Sequence, residues 1–104
     1  MNVAGTEIEG APEAERELLR VAERLFWWES PARALADRRR FTAQVMNLGS
    51  WSDICTVQKY WGEGVFDDVL EHAPAGVWTT RRWNYWHVRR GRMPVPPIPR
   101  RFGP

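Results

Sequence analysis

The chain has 104 residues, of which 43% are hydrophobic, and it carries a formal net charge of +2 at pH 7. This length and composition are typical of one globular domain with a single core. Cys55 is the only cysteine, which excludes an intramolecular disulfide and a zinc site built from several cysteines of this chain. No apolar run approaches the roughly 18 residues that span a membrane, and the first residues lack a signal-peptide pattern, so we expect a cytoplasmic protein.

Charge is distributed unevenly along the chain. Residues 1–72 carry all 13 acidic side chains and 8 basic ones, whereas residues 73–104 carry 7 arginines and no acid. A segment with such an excess of positive charge attracts negatively charged partners. The C-terminal third is therefore the first place to look for a binding surface.

Residues 1–10 show no periodicity and are predicted to form a disordered tail, ahead of a helical domain over residues 11–92. The first helix is expected to begin near Pro12, since proline suits the first turn of a helix. Apolar residues at helical spacing follow, and this helix is predicted to end in the aromatic pair Trp27 and Trp28.

The next two segments also predict helices. Ser30 and Gly49 fit the cap positions of one long helix that runs between them. Ser50 and Asp53 form a weak variant of the capping box for a third helix, which ends at Gly62. The apolar residues of this third helix are predicted to share one face: Trp51, Ile54, Val57 and Trp61.

Two shorter helices and a tail complete the prediction. The fourth helix is closed by Pro74, and Thr79 caps a fifth helix that ends at Gly91. Residues 93–104 hold five of the eight prolines and predict a polyproline-like extension, which either packs along the domain or serves as a ligand for a partner. The predicted fold is all-α, a compact bundle of about five short helices with an extended proline-rich C-terminal tail.

The sequence contains no recognisable catalytic or cofactor-binding motif. His72 and His87 fall on different predicted helices, and neither belongs to a ligand-spaced pair, so no metal is expected. Cys55 lies between Ile54 and Val57, which favours burial over reactivity. We therefore expect a non-catalytic protein without a cofactor.

The fifth predicted helix, in the segment RRWNYWHVRRGR, combines arginines with aromatic residues and contains no acid. On a helical wheel of about 100° per residue, four residues share one side. Those residues are Trp83, Trp86, His87 and Arg90. This side favours a central helix of the core with Trp83 and Trp86 as anchors.

An adjacent stripe of the same helix contains Arg82, Tyr85 and Arg89 beside Arg81. It fits three interpretations. The stripe is a solvated basic rim of a core helix, or a surface for a protein partner, since Trp, Tyr and Arg dominate interface energetics. In the third interpretation it binds nucleic acid in a loosely helix-turn-helix arrangement, with Asn84 at a base edge.

Two sets of candidate binding residues follow from these patterns. The candidates for binding a protein partner or a nucleic acid are Arg81, Arg82, Asn84, Tyr85, Arg89, Arg90, Arg92, Arg100 and Arg101. An acidic cluster in the fourth predicted helix gives a candidate docking face, which consists of Asp67, Asp68 and Glu71.

Four segments in this order carry a family resemblance: LFWWES, FTAQVMNLGSW, YWGEGVFDDVLEHAP and WTTRRWNYWHVRRG. They resemble a family of small uncharacterised bacterial and archaeal proteins that are encoded beside nucleotidyltransferase-like toxins of the abortive-infection class. The resemblance covers residues 25–91. It implies an antitoxin component that neutralises or regulates such a toxin. The alternative is a DNA-binding transcriptional regulator that uses the basic aromatic last helix.

Overall fold

The computed structural model describes the backbone of residues 3–100 and the side chains of residues 13–100. The regular secondary structure of this part of the chain consists of six helices: α1 Val3–Leu25, α2 Pro31–Ala36, α3 Arg38–Leu48, α4 Trp51–Trp61, α5 Gly64–Glu71 and α6 Thr80–Arg89. None of these helices is long and apolar enough to cross a membrane. The prediction of a compact all-α fold is confirmed, with six helices in the described residues where about five were predicted.

A break at Asp37 accounts for the additional helix. Asp37 leaves the helical conformation, at φ −103° and ψ 89°, and its side chain accepts a hydrogen bond from the Arg40 N–H at 3.1 Å. This carboxylate caps α3 and satisfies a donor that the start of a helix leaves free. The prediction of one uninterrupted helix between Ser30 and Gly49 is therefore wrong.

The first helix differs from its prediction at both ends. It begins at Val3 and not near Pro12, so helical backbone extends into the segment that was predicted as a tail. It ends at Leu25, and Trp27 and Trp28 lie in the turn that follows, where both side chains are exposed. Residues 1–2 lie outside the part of the chain that the structure describes.

The cap residues read from the sequence are confirmed at α4 and α6. Ser50 Oγ accepts from the Asp53 N–H at 3.2 Å, and Asp53 Oδ2 accepts from the Ser50 N–H at 3.0 Å, which completes the capping box of α4. Thr79 Oγ1 accepts from the Arg82 N–H at 3.2 Å and caps α6. Gly62 ends α4 at φ +86°, a left-handed conformation that favours glycine.

The central helix of the bundle is α3, which contacts each of the other five helices. Its buried residues are Phe41, Thr42, Ala43, Val45, Met46 and Asn47. Trp83 and Trp86 of α6 are also buried, and their ring centroids lie 5.3 Å from Trp78 and 5.0 Å from Phe66 respectively. Both tryptophans are core residues as predicted, but α3 and not α6 occupies the centre.

Hydrogen bonds from the last turn of α3 position α6. A helix leaves its last carbonyl groups without partners of its own. The Met46 carbonyl accepts from Trp86 Nε1 at 2.8 Å and from Arg82 Nη1 at 2.9 Å. The buried Asn47 side chain accepts from the Thr79 N–H at 2.9 Å. The first turn of α6 is thus fixed against the end of α3.

The described part of the proline-rich segment lies against the domain. Residues 95–100 have no regular secondary structure, and Val95 and Ile98 pack on the core. Trp83 Nε1 donates to the Pro96 carbonyl at 2.7 Å. These contacts match the first of the two interpretations, packing along the domain. A polyproline conformation and a role as a ligand stay predictions.

Candidate binding surface

The acidic and basic candidate residues contact each other at the C-terminal end of α6. Arg90 donates to both carboxylate oxygens of Asp67, at 3.1 and 2.7 Å, and to Glu63 at 3.0 Å. Arg92 donates to the same Asp67 at 3.3 Å and to Glu71 at 2.9 Å. We call these five residues the paired cluster: Glu63, Asp67, Glu71, Arg90 and Arg92.

The positive charges of the paired cluster are neutralised by its own carboxylates. The hydrogen bonds from Arg90 hold the pKa of Asp67 below its usual range, and those from Asp67 and Glu63 raise the pKa of Arg90. Each charged form is therefore stabilised by its neighbours. Because three carboxylates surround the two guanidinium groups at hydrogen-bond distance, no positive charge remains here to attract an anionic partner.

Asp68 is paired as well, with another helix. Arg39 of α3 donates to its two carboxylate oxygens at 2.9 and 3.1 Å, and the His72 Nδ1 lies 3.3 Å from Asp68 Oδ1. The hydrogen bond from Arg39 lowers the pKa of Asp68. All three residues of the candidate acidic docking face therefore have a basic neighbour within this chain.

Arg82 and Arg100, two further basic candidates, differ in their surroundings. Arg82 is half-buried, and its guanidinium is turned inward to the Met46 carbonyl. Arg100 is exposed at the end of the described chain. Arg101 lies outside the described residues. The structure thus gives Arg82 a role in packing, which its place in the predicted stripe did not indicate.

The remaining candidates of α6 form one exposed stripe. Arg81, Asn84, Tyr85 and Arg89 are exposed at positions i, i+3, i+4 and i+8, and the exposed Val88 lies between them. Together they line an open depression of about 490 Å³. The structure therefore brings these four predicted residues together on one side of the helix.

Trp51 of α4 extends this stripe, so the apolar face predicted for α4 is buried only in part. Ile54 and Val57 of the same predicted face are buried, whereas Trp51 is 55% exposed. The guanidinium carbon of Arg89 lies 4.8 Å from the centroid of the Trp51 ring, and Arg89 Nη1 donates to Tyr85 Oη at 3.3 Å. This arginine therefore connects an exposed ring of α4 with an exposed ring of α6.

The stripe and this tryptophan make up one surface, which we call the basic aromatic face. Its members are Trp51, Arg81, Asn84, Tyr85, Val88 and Arg89. A second open depression, of about 410 Å³, lies between α4 and α6 and is lined in part by Trp51, Arg81 and Tyr85. Among the described residues, no carboxylate forms a salt bridge with Arg81 or Arg89. The face therefore keeps its positive charge.

Cys55 lies beside this face and is exposed, so the prediction that it is buried is wrong. It lines a further depression together with Trp51, Lys59 and Arg89. Since α4 directs Ile54 inward and consecutive helical residues are rotated by about 100°, Cys55 points away from the core.

Comparison of the chain with protein-family models, with curated proteins and with solved structures finds no match. The resemblance to proteins encoded beside nucleotidyltransferase-like toxins stays a prediction from the four segments that carry it. The basic aromatic face is the observation on which a functional proposal rests.

Proposed function

We propose that this chain is a non-catalytic binding protein that engages a negatively charged macromolecule through the basic aromatic face. The observation that carries this proposal is the separation of the arginines into two groups. Arg90 and Arg92 are neutralised in the paired cluster, whereas Arg81 and Arg89 have no acidic partner among the described residues. Exposed arginines beside tryptophan and tyrosine are the residue types that contribute most energy to interfaces.

The arginines and the aromatic rings of this face contribute to binding in different ways. Arg81 and Arg89 attract an anionic partner and accelerate its association, an effect that salt screens. Trp51 and Tyr85, which are 55% and 44% exposed, supply apolar area that loses water when the partner binds. Because Arg89 already contacts both rings, part of the surface is ordered before binding, which lowers the entropic cost of association.

Within this role we propose an antitoxin-like function in the cytoplasm, in which the chain neutralises or regulates a nucleotidyltransferase-type toxin. The support for this step is the family resemblance over residues 25–91. A basic cleft of the toxin would find Asp67, Asp68 and Glu71 already paired with arginines of this chain. We therefore assign the contact to the basic aromatic face and to an acidic surface of the toxin.

Affinity capture tests this proposal. The tagged chain is incubated with extract of its native cells, with and without nuclease, and the bound proteins are identified by mass spectrometry. We expect a nucleotidyltransferase-like protein that is retained after nuclease treatment and lost in the double variant Arg81→Glu/Arg89→Glu. Arg82 is left intact, because its bond to the Met46 carbonyl links it to folding.

The matched control reverses two exposed arginines on other helices, Arg20 and Arg33. The control Arg20→Glu/Arg33→Glu changes the net charge by the same amount and should retain the partner. Equal recovery of the toxin by both double variants would exclude the basic aromatic face as its docking site.

A second candidate is a DNA-binding transcriptional regulator that uses α6. The observation in its favour is the exposed stripe with Arg81, Asn84, Tyr85 and Arg89, since basic and polar side chains on one exposed side are typical of a recognition helix. Loss of every captured partner after nuclease treatment would favour this candidate. A mobility shift with DNA from the upstream region of its own gene then tests it directly.

A further inference from the structure

We infer that the ligand of the basic aromatic face is single-stranded nucleic acid, with bases stacked on Trp51 and Tyr85 and phosphates bound by Arg81 and Arg89. This inference rests on the first step of the proposed function, that the face binds a negatively charged macromolecule, and it names nucleic acid as that macromolecule in place of the acidic toxin surface. It adds Trp51, which was not among the candidates predicted from the sequence, to the binding residues.

The two exposed rings favour a single strand over a duplex. Trp51 and Tyr85 belong to different helices, and about half of each side chain is exposed. In duplex DNA the bases stack on one another and present only their edges and the phosphates. The bases of a single strand are free to stack on aromatic side chains, which is how proteins bind such strands without sequence preference.

The cations of the face are interleaved with these rings. Arg81 and Tyr85 both line the two depressions of about 490 and 410 Å³. Arg89 donates to Tyr85 Oη and lies over the Trp51 ring. Two arginines and two aromatic rings therefore alternate across α6 and α4, in the order Arg81, Tyr85, Arg89 and Trp51. This order matches the alternation of phosphate and base along a strand.

The guanidinium of Arg89 retains capacity for a phosphate. Among the described residues its one hydrogen bond is from Nη1 to Tyr85 Oη, at 3.3 Å. The planar fork of arginine donates two parallel hydrogen bonds to a phosphate, and these charge-assisted bonds are stronger than neutral ones. A phosphate at this position would lie beside both rings.

An acidic protein segment fits the face less well. Its carboxylates would satisfy Arg81 and Arg89, but they would also lose water against the rings of Trp51 and Tyr85 without gaining a hydrogen bond there. A nucleotide brings a flat apolar surface and a negative charge in the same unit. The combination of exposed rings with unpaired arginines therefore favours nucleic acid.

Fluorescence anisotropy of the full chain with three labelled probes tests the inference. The probes are oligo(dT) of about 15 nucleotides, long enough to cover a typical single-strand site, a DNA duplex of the same length, and a poly-glutamate peptide. We expect oligo(dT) to bind most tightly. Trp51→Ala and Tyr85→Ala should each weaken its binding roughly ten- to a hundredfold.

Two control variants separate stacking from folding. Trp27→Ala removes another exposed ring, which lies in the turn after α1, and should leave the affinity for oligo(dT) unchanged. Trp51→Phe keeps a ring at the site and should recover most of the binding that Trp51→Ala loses. Thermal melting of each variant checks that it is folded.

Salt dependence tests the phosphate contacts. The logarithm of the binding constant falls linearly with the logarithm of the salt concentration, with a slope of about −0.7 for each phosphate contact to a single strand. Arg81→Ala and Arg89→Ala should each reduce the steepness by about this amount. An unchanged slope in both variants would overturn the assignment of these arginines to phosphates.

The other outcomes are distinguishable. If the duplex binds as tightly as oligo(dT) and the two ring variants are neutral, the inference is overturned in favour of duplex DNA, and the proposed function stands. Binding of poly-glutamate without oligo(dT) overturns it in favour of an acidic protein, and again the proposed function stands. If the folded wild type binds none of the three probes at low salt, the inference is rejected, and the affinity capture decides the proposed function by itself.

Discussion

Adjacent arginines at the two ends of α6 have opposite surroundings. Arg81 is exposed while Arg82 bonds the end of α3, and Arg89 lies on Trp51 while Arg90, directly after α6, bonds the carboxylate of Asp67 in α5. One step along a helix is a rotation of about 100°, enough to turn a side chain from one neighbouring helix to another. Residue type alone therefore does not decide whether an arginine is available to a partner; the neighbouring helix does.

The largest expected difference separates the tryptophans of the two regions. Trp83→Ala should lower the free energy of unfolding by about 3–5 kcal/mol, because a buried aromatic side chain leaves a cavity. Trp51→Ala should cost less than about 1 kcal/mol, since half of that side chain is already exposed. Equilibrium unfolding in urea measures both. Similar losses in the two variants would contradict the assignment of Trp51 to the surface.

The pair Arg81 and Arg82 offers a comparison within one turn. Arg82→Ala should lower the free energy of unfolding by about 1–2 kcal/mol, because it removes a charged donor from the Met46 carbonyl. Arg81→Ala should change it by less than about 0.5 kcal/mol. The affinity for the anionic partner should fall more in Arg81→Ala than in Arg82→Ala. If Arg82→Ala is neutral in urea unfolding, its inward hydrogen bond does not contribute to stability.

The pair Arg89 and Arg90 repeats the comparison at the other end of α6, with a smaller effect. Arg90→Ala should cost up to about 1 kcal/mol, because its ion pairs with Asp67 and Glu63 are only partly shielded from water. Arg89→Ala should cost less and should weaken partner binding. The cost of Arg90→Ala should shrink in about 1 M salt, where charges are screened over roughly 3 Å. A loss that is independent of salt would point to packing instead of charge.

The smallest expected effect is the response of the paired cluster to acid. Asp67 has a lowered pKa in the folded chain because of the hydrogen bonds from Arg90, against about 3.9 for an unfolded aspartate. Its contribution to stability is therefore present above about pH 4 and is lost as the pH falls through the lowered folded-state pKa. Thermal melting from neutral to acid pH should show a shallower acid branch for Asp67→Asn than for the wild type. Parallel branches would contradict this role of Asp67.

Local features of the fold were predictable because they depend on neighbours in sequence. The capping box of Ser50 and Asp53, the cap Thr79 and the left-handed Gly62 each involve residues a few positions apart. The break at Asp37 uses the same chemistry, and its side chain is a recognised cap. It was missed because the apolar pattern continues across it, although an aspartate before three arginines was a signal for a new helix start.

The candidate surface was predictable in part. The exposed stripe of Arg81, Tyr85 and Arg89 follows from helical spacing. Trp51 was placed on one apolar face with Ile54 and Val57 because of its helical spacing to them, and it was not predicted as a binding residue. No local pattern distinguishes it from Ile54 and Val57, which share its predicted face. Trp51 joins the face because the Arg89 side chain of α6 lies over its ring, and only the tertiary structure decides that contact.

The sequence by itself determined the helical character of the chain, the caps Ser30, Ser50 and Thr79, the burial of Trp83 and Trp86 and the excess of arginine after residue 72. These features depend on composition and on short periodic patterns. Only the tertiary structure decided that Arg90 and Arg92 are neutralised while Arg81 and Arg89 are not. The physical reason is range: a hydrogen-bonded ion pair requires two side chains within about 3 Å. Arg90 meets Asp67 only because the C-terminal end of α6 lies close to α5, where Trp86 also contacts Phe66.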